Sequence, residues 1–507
     1  MFNRLKEFLI GPPLLTQRIF DEKLNKIRAL AAFSPDALSS IAYANQEIYL
    51  GLLIAGSAGL SMAWPIGLVI VVVLSIAAVS YYQTIHAYPS GGGSYIVARS
   101  NLGTLPGLIA GGALMIDYIL TAAVSLTAGV DAVASAFPVI WPYRVTIALI
   151  LLALITLINM RGMRETGTLM SIPVYLFLFT YLPMLIYGFF VLWRDGPGEL
   201  VSVAPVAVQP VTLFLLLHAF ATGCTALTGI EAISNGVPAF KSPESDNAGK
   251  TLIIMALLMG ALFLGSIGLT QSLAVIAGPQ ETILSALARR ILGNGGFYFV
   301  IQVSTMLVLT VAANTSFADF PRVAALLAKD GFLPHQFTGL GDRLVFVNGI
   351  LILSGATAAL IILFQGDTHL LVPLFAVGAF LAFTLSQSGM VVHWWRERGP
   401  HWQLKTLANA VGAIATGVTL LVVGITKFLD GAWITIIVIP LLVFMFLRIR
   451  QHYRHVREQL TMHGLPPTLR PFDKPRVVIP VSGVHRGIVD AMRYALTISS
   501  DVTGVYV

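Results

Sequence analysis

The sequence predicts an all-α polytopic membrane protein with 12 transmembrane helices, followed by an incomplete α/β cytoplasmic tail. Three observations predict it. Of 507 residues, 56% are hydrophobic and only 11% are charged, against about 25% charged in ordinary soluble domains. Apolar runs of about 20 residues, the length that crosses a bilayer, recur from residue 30 to residue 447. After Leu447 the composition shifts abruptly to Arg448, Arg450, Arg454 and Arg457.

The spans are expected at 30–57, 63–85, 105–137, 143–160, 169–193, 212–240, 252–276, 296–319, 345–364, 370–394, 407–426 and 429–447. With the N-terminus inside, the non-cytoplasmic side holds only Arg144, Arg194, Arg289, Arg290 and Lys427 among the 31 Lys and Arg. The positive-inside rule therefore places both termini in the cytoplasm. The net charge of +7 is a topology signal and a contact for anionic lipid, and requires no nucleic acid. The lone Cys224 excludes an internal disulfide and argues against a cysteine metal site. No cleavable signal peptide is expected.

In chain order, residues 1–29 form a cytoplasmic leader, with an amphipathic helix expected around Asp21 to Arg28. The transporter domain spans 30–447. Its first span opens on Ser34-Pro35-Asp36-Ala37-Leu38-Ser39-Ser40-Ile41-Ala42-Tyr43. A carboxylate at mid-membrane costs about 2.5–3.5 kcal/mol on insertion scales, and irregular polar backbone at that depth is tolerated only where it lines a cavity. Asp36 to Tyr43 is therefore expected at a break in this helix, facing a cation pathway; the alternative is an acid snorkelling at a helix entrance. After the second span, Tyr88-Pro89-Ser90-Gly91-Gly92-Gly93-Ser94-Tyr95 makes a tight intracellular corner or a re-entrant piece.

The third span carries Asp117, Tyr118, Thr121, Ser125 and Asp131. Positions 117, 121 and 125 share one helical face, with 118 beside it. Thr and Ser alone would read as hydrogen-bond glue between helices; Asp117 in the same stripe points to a polar cavity. The fourth and fifth spans read as scaffold. The sixth is interrupted by Thr228-Gly229-Ile230-Glu231-Ala232-Ile233-Ser234-Asn235-Gly236-Val237-Pro238. Broken helices at the start of each set of five spans point to a site built on a 5+5 inverted repeat. The eleventh and twelfth spans look peripheral. Residues 448–475 form a basic linker. From 476 to 507, a strand at Val477–Val481, a helix from Gly487 to Ser499 and a strand at Val502–Val507 make one βαβ unit. A lone βαβ cannot bury its own core, so the chain is expected to stop inside that domain.

The charge census carries the functional reading. Asp36, Glu47, Asp117, Asp131, Glu231 and Asp319 lie within spans, Asp430 lies at an edge, and no Lys or Arg is expected in the membrane interior. Such acids must be protonated, hydrated or neutralised by something outside the chain. Anion pores show rings of Lys or Arg instead. A transported cation or proton supplies the missing charge, and oxygen ligands suit alkali or alkaline-earth ions. His218 has no Cys or Asp at metal-ligand spacing, which argues against a transition-metal carrier.

The Tyr88–Tyr95 corner resembles the signature of the amino acid–polyamine–organocation superfamily, whose fold is LeuT-type. The segments at Ser34–Tyr43, Asp117–Ser125 and Thr228–Pro238 resemble the Kup-type bacterial potassium importers, over essentially the whole chain, including a tail like a universal stress protein domain. The resemblance implies proton-coupled potassium import in the bacterial cell (inner) membrane, with no cofactor beyond the transported potassium and proton. It maps cation-binding positions onto Asp36, Tyr43, Asp117, Tyr118, Thr121, Ser125, Thr228 and Glu231. Glu231 is also the candidate for proton coupling, with Asp117 as its rival. Phe375 stands where that family usually has a tyrosine, which removes one oxygen. Relatives of this kind are homodimers regulated by cyclic di-AMP, both through the cytoplasmic domain. Two other readings compete: a proton-coupled amino acid or amine permease on the same scaffold, and a nucleotide sensor with the membrane region as anchor. No nucleophile–base pairing suggests an enzyme.

Overall fold

In the computed structural model, residues 26–91, 93–162, 166–278, 280–461 and 475–507 are described. The chain divides into two compact units, Met1–Gln451 and His452–Val507.

The first unit opens with α1 (Lys26–Phe33) and α2 (Pro35–Leu53), separated by Ser34 alone. The expected opening of the backbone over Asp36 to Tyr43 does not occur. The Ser34 amide donates to the Leu30 carbonyl (2.9 Å) and the Leu38 amide to the Ser34 carbonyl (2.8 Å), so the helical ladder bridges the joint. Pro35 withholds one N–H at the first position of a helix, where none is needed. Asp36 to Tyr43 are thus the first two turns of α2. The leader helix expected at Asp21 to Arg28 falls mostly outside the described residues.

Next come α3 (Ala63–Ala87), α4 (Ser94–Leu102), α5 (Thr104–Ala136), α6 (Arg144–Met160) and α7 (Thr166–Asp195). The sixth span does break. Its first part, α8 (Leu213–Gly223), passes into a 3₁₀ turn over Cys224–Leu227, Thr228 is extended, Gly229 takes φ +83°, and α9 (Ile230–Asn235) restarts the helix. The remaining helices are α10 (Glu244–Ser272), α11 (Ile283–Leu292), α12 (Gly296–Lys329), α13 (Val347–Leu363), α14 (Thr368–Glu397), α15 (Trp402–Thr426) and α16 (Trp433–Leu460).

Among the described residues, ten helices are long and apolar enough to cross a membrane. Of the twelve expected spans, the first and ninth fall short of that measure. Helix α2 carries Asp36, Ser39, Ser40, Asn45, Gln46 and Glu47. Helix α13 has 17 residues, about 26 Å of rise against a hydrocarbon core of about 30 Å.

Small residues decide which helices sit inside. Helix α5 is rich in Gly and Ala, so α12 and α14 approach it closely. A Cβ on Gly378 of α14 would lie 3.1 Å from the Ala113 carbonyl oxygen and 3.7 Å from the Asp117 Cβ. The apolar stretches of α5 and α14 are each 72% buried, against 28% for α15 and α16, which are peripheral. Helix α2 packs on α8 and α12, which brings the first span, the break and α5 to a common centre.

In the second unit, β1 (Val477–Val481) pairs in parallel with β2 (Val502–Tyr506), Val477 opposite Val502 and Val481 opposite Tyr506, with α17 (Arg486–Ile498) between them in sequence. Most of the expected linker, 462–474, lies outside the described residues, and 448–460 continues α16 as helix.

Two glycines separate conformational from steric cost. Both Gly229 and Gly293 have positive φ, but a Cβ at 229 would fall 2.5 Å from the Ala37 nitrogen while nothing lies within 4 Å at 293. Each alanine substitution should cost about 1–2 kcal/mol for the left-handed backbone, and Gly229→Ala should cost clearly more. Melting temperatures of the two variants in detergent would test this; equal shifts would mean that α2 yields freely to the break.

Candidate functional site

Asp36 sits in the first turn of α2. Its side chain is buried, and Oδ1 has no hydrogen-bond partner among the described residues. The Ser39 and Ser40 hydroxyls turn back onto the Asp36 carbonyl at 3.0 and 2.9 Å. Tyr43 lies two turns further along the same face, buried, with its hydroxyl beside the Ser40 and Thr228 side chains. Thr228 is the extended residue of the break and donates to the Thr225 carbonyl at 3.0 Å. The missing Cβ of Gly229 lets this break lie directly against Ala37.

Helix α5 contributes the stripe expected from spacing. Asp117 Oδ1, Thr121 Oγ1 and Ser125 Oγ are all buried without a hydrogen-bond partner among the described residues. That is unusual for helical hydroxyls, which normally bond back to a carbonyl one turn earlier; Thr127 on the same helix does so, to Ala123 at 3.0 Å. Neither Thr121 nor Ser125 bonds to another helix, so the glue reading fails for both. Asp117 lies within electrostatic range of Asp36 and of Glu231. The Asp36 and Asp117 carboxylates, with the stripe of Thr121 and Ser125 running along α5 from Asp117, offer oxygens that have no donor among the described residues, and oxygen-only sets of this kind suit a hard cation. Phe375 of α14 is fully buried, and Gly378 one turn on lies against Ala113 and Asp117.

Two expected site residues are occupied elsewhere. The Tyr118 hydroxyl accepts from Asn235 Nδ2 at 3.0 Å, at the end of α9. Glu231 accepts from the Ser94 amide (2.8 Å), the Ser94 hydroxyl (2.9 Å) and the Tyr81 hydroxyl (3.3 Å). It therefore covers the N-terminus of α4, the helix that the triple-glycine corner opens. Tyr81 and Ser94 are partners of Glu231 that spacing along the sequence does not reveal. The corner is fastened further by Tyr95, which donates to Asp330 at 2.6 Å, and by an Arg99–Asp330 ion pair. Burial pushes the Tyr95 phenol up to about 12, so it stays a donor.

The interior acids are less uniformly unpartnered than the sequence suggests. Glu47 pairs with His369, and Asp319 lies 3.7 Å from Arg322. His218 meets Asp430 at 2.8 Å, with Lys427 beside both, so the spacing argument overlooked an aspartate that folding brings near. Among the described residues, no group of three or more His, Cys, Asp or Glu could hold a metal ion.

Residues 28–447 match the family model described as amino acid permease. The chain is 43% identical over 510 residues to the potassium transporter KimA of Bacillus subtilis, covering 100% of this chain and 83% of that protein. It is 23% identical over 335 residues to a vacuolar cationic amino acid transporter 4 of Arabidopsis thaliana, covering 62% and 54% of the two chains. A crystal structure of the Eremococcus coleocola manganese transporter aligns with a TM-score of 0.41 at 13% identity, over 85% of this chain and 96% of that one.

The three bonds to Glu231 predict a stability effect. Glu231→Gln keeps the shape but turns an amide N–H₂ toward one or more donors, at about 1–3 kcal/mol for the unmet groups. Ser94→Ala removes a donor and should cost less. Thermal unfolding of both variants in detergent measures the difference; a Glu231→Gln protein as stable as the parent would show that the carboxylate does not hold the corner.

Proposed function

This chain belongs to the amino acid permease family, and from that premise we propose that it is a secondary active transporter that imports potassium through the cluster between α2, the α8–α9 break and α5. The observation that carries the reading is the set of buried oxygens on Asp36, Asp117, Thr121 and Ser125 without hydrogen-bond partners. An alkali ion entering such a cluster exchanges its hydration shell for protein oxygens, and two nearby carboxylates that repel each other attract it. The likeness to a potassium transporter over the whole chain supports potassium as the ion. Tyr43 and Thr228 complete the ligand set in this reading, with Tyr118 at its margin.

The proposal extends to proton symport, with Glu231 as the coupling group. A proton on Glu231 would deprive Ser94 or Tyr81 of an acceptor, which links protonation to the packing of the α4 corner against α9. It also extends to twelve spans in a 5+5 inverted repeat, cytoplasmic termini and a bacterial cell membrane. Family resemblance supports a homodimer, and cyclic di-AMP recognition through a universal-stress-protein-like tail beginning near residue 476.

The second reading is a cationic amino acid or amine permease, favoured by the family description and by the plant relative. Backbone amides that would hold an α-carboxylate are not freed at α2, because its ladder bridges Ser34. Rubidium uptake against labelled amino acid uptake in the same vesicles separates the two.

Asp36→Asn should abolish rubidium uptake while leaving yield and melting temperature near those of the parent, since the amide keeps the shape and removes the charge. Near-normal uptake would take Asp36 out of the site. Phe375→Tyr restores the missing phenol oxygen. An aromatic face alone attracts a cation by about 0.5–2 kcal/mol but lacks a directional lone pair, so the tyrosine should lower the half-saturating rubidium concentration with little change in maximal rate. An unchanged half-saturation with slower turnover would make Phe375 a hydrophobic gate instead.

A further inference from the structure

A cavity of about 370 Å³ is lined by Gln46 of α2, Asp131 of α5, Arg144 of α6, Thr282, Asp367 and His369, among others. A much smaller one of about 10 Å³ is lined by Tyr43, Gln46, Asp131, Thr305, Thr368 and His369. Gln46, Asp131 and His369 border both, so the two are neighbours, with the Tyr43 side chain forming part of the inner one. Asp131 lies 14 residues beyond Asp117 on α5, about 21 Å along the helix axis.

Among the charged side chains lining the larger cavity, all but one are paired. Arg144 lies 3.8 Å from Asp367, Glu281 pairs with Arg289, and His369 pairs with Glu47. Asp131 has no ion-pair partner among the described residues. It is 8% exposed; its Oδ2 accepts from the Thr368 hydroxyl at 2.7 Å, and its Oδ1 is buried with no partner. Both carboxylate oxygens of Glu231 accept hydrogen bonds. Asp131 uses one.

We infer that Asp131 is a second cation station, where a monovalent alkali ion is held by the free carboxylate oxygen, beside Gln46, before it passes Tyr43 to the Asp36–Asp117 cluster. One unpaired carboxylate matches one positive charge, whereas a divalent ion takes six or more oxygens and usually several carboxylates. In the proposed topology this end of α5 faces outward, so the station meets the incoming ion first. The inference rests on the cation-carrier reading.

Thallium(I) binding to the purified protein, with rubidium uptake in vesicles, tests it. The parent should show two sites, and Asp131→Asn and Asp36→Asn should each retain one. Asp131→Asn should raise the half-saturating external rubidium concentration about tenfold, with the maximal rate nearly unchanged. Thr368→Val removes the hydrogen bond but keeps the carboxylate, and should retain both sites. If Thr368→Val reproduces the Asp131→Asn phenotype, the acid only ties α5 to α14 and the inference fails. A single site in the parent, lost in Asp36→Asn alone, leaves the carrier reading standing and removes this one. A parent that neither binds nor carries the ion removes both.

Discussion

Gly229 can lie against the first turn of α2 only because it has no side chain. A Cβ there would sit 2.5 Å from the Ala37 nitrogen, and φ of +83° suits glycine alone. That one approach sets Thr228 beside Tyr43 and brings the break toward Asp36. Around it, the small residues of α5 and α14 let Asp117, Thr121 and Ser125 reach the same interior. The buried oxygens gather because backbones close in, and each backbone closes in because a side chain is missing.

In the membrane interior an acid has three available fates, and this chain uses all of them. Glu231 is satisfied by hydrogen bonds from Ser94 and Tyr81. Glu47 and Asp319 meet a histidine and an arginine. Asp36, Asp117 and Asp131 keep an oxygen without any partner. Burying polar atoms unpaired is costly, so the last group is the one whose oxygens call for a ligand outside the chain.

Much of this was legible in the sequence where the information is local. The spacing of 117, 121 and 125 on one helix face, and Gly229 with Pro238 inside an apolar run, need no tertiary knowledge. What was not legible depends on contacts between distant residues. Ser94 reaches Glu231 across 137 positions and His369 reaches Glu47 across 322; no spacing rule anticipates either. The first span was overread for a different reason. Pro35 signals a break only inside a helix, and here it begins one, so Asp36 to Tyr43 stay wound. The ninth span illustrates a marginal length: 17 residues of mostly apolar helix read as a crossing by pattern and fall just short by rise.

Helix α5 runs unbroken from Thr104 to Ala136, and it carries both Asp117 and Asp131. While it stays wound it is a ruler, and the gap between those two acids is a fixed mark on it. No rearrangement of the surrounding helices can bring the two carboxylates together. The side chains between them, Tyr43 of α2 among those lining the inner cavity, therefore separate the two acids at a distance that the helix itself sets.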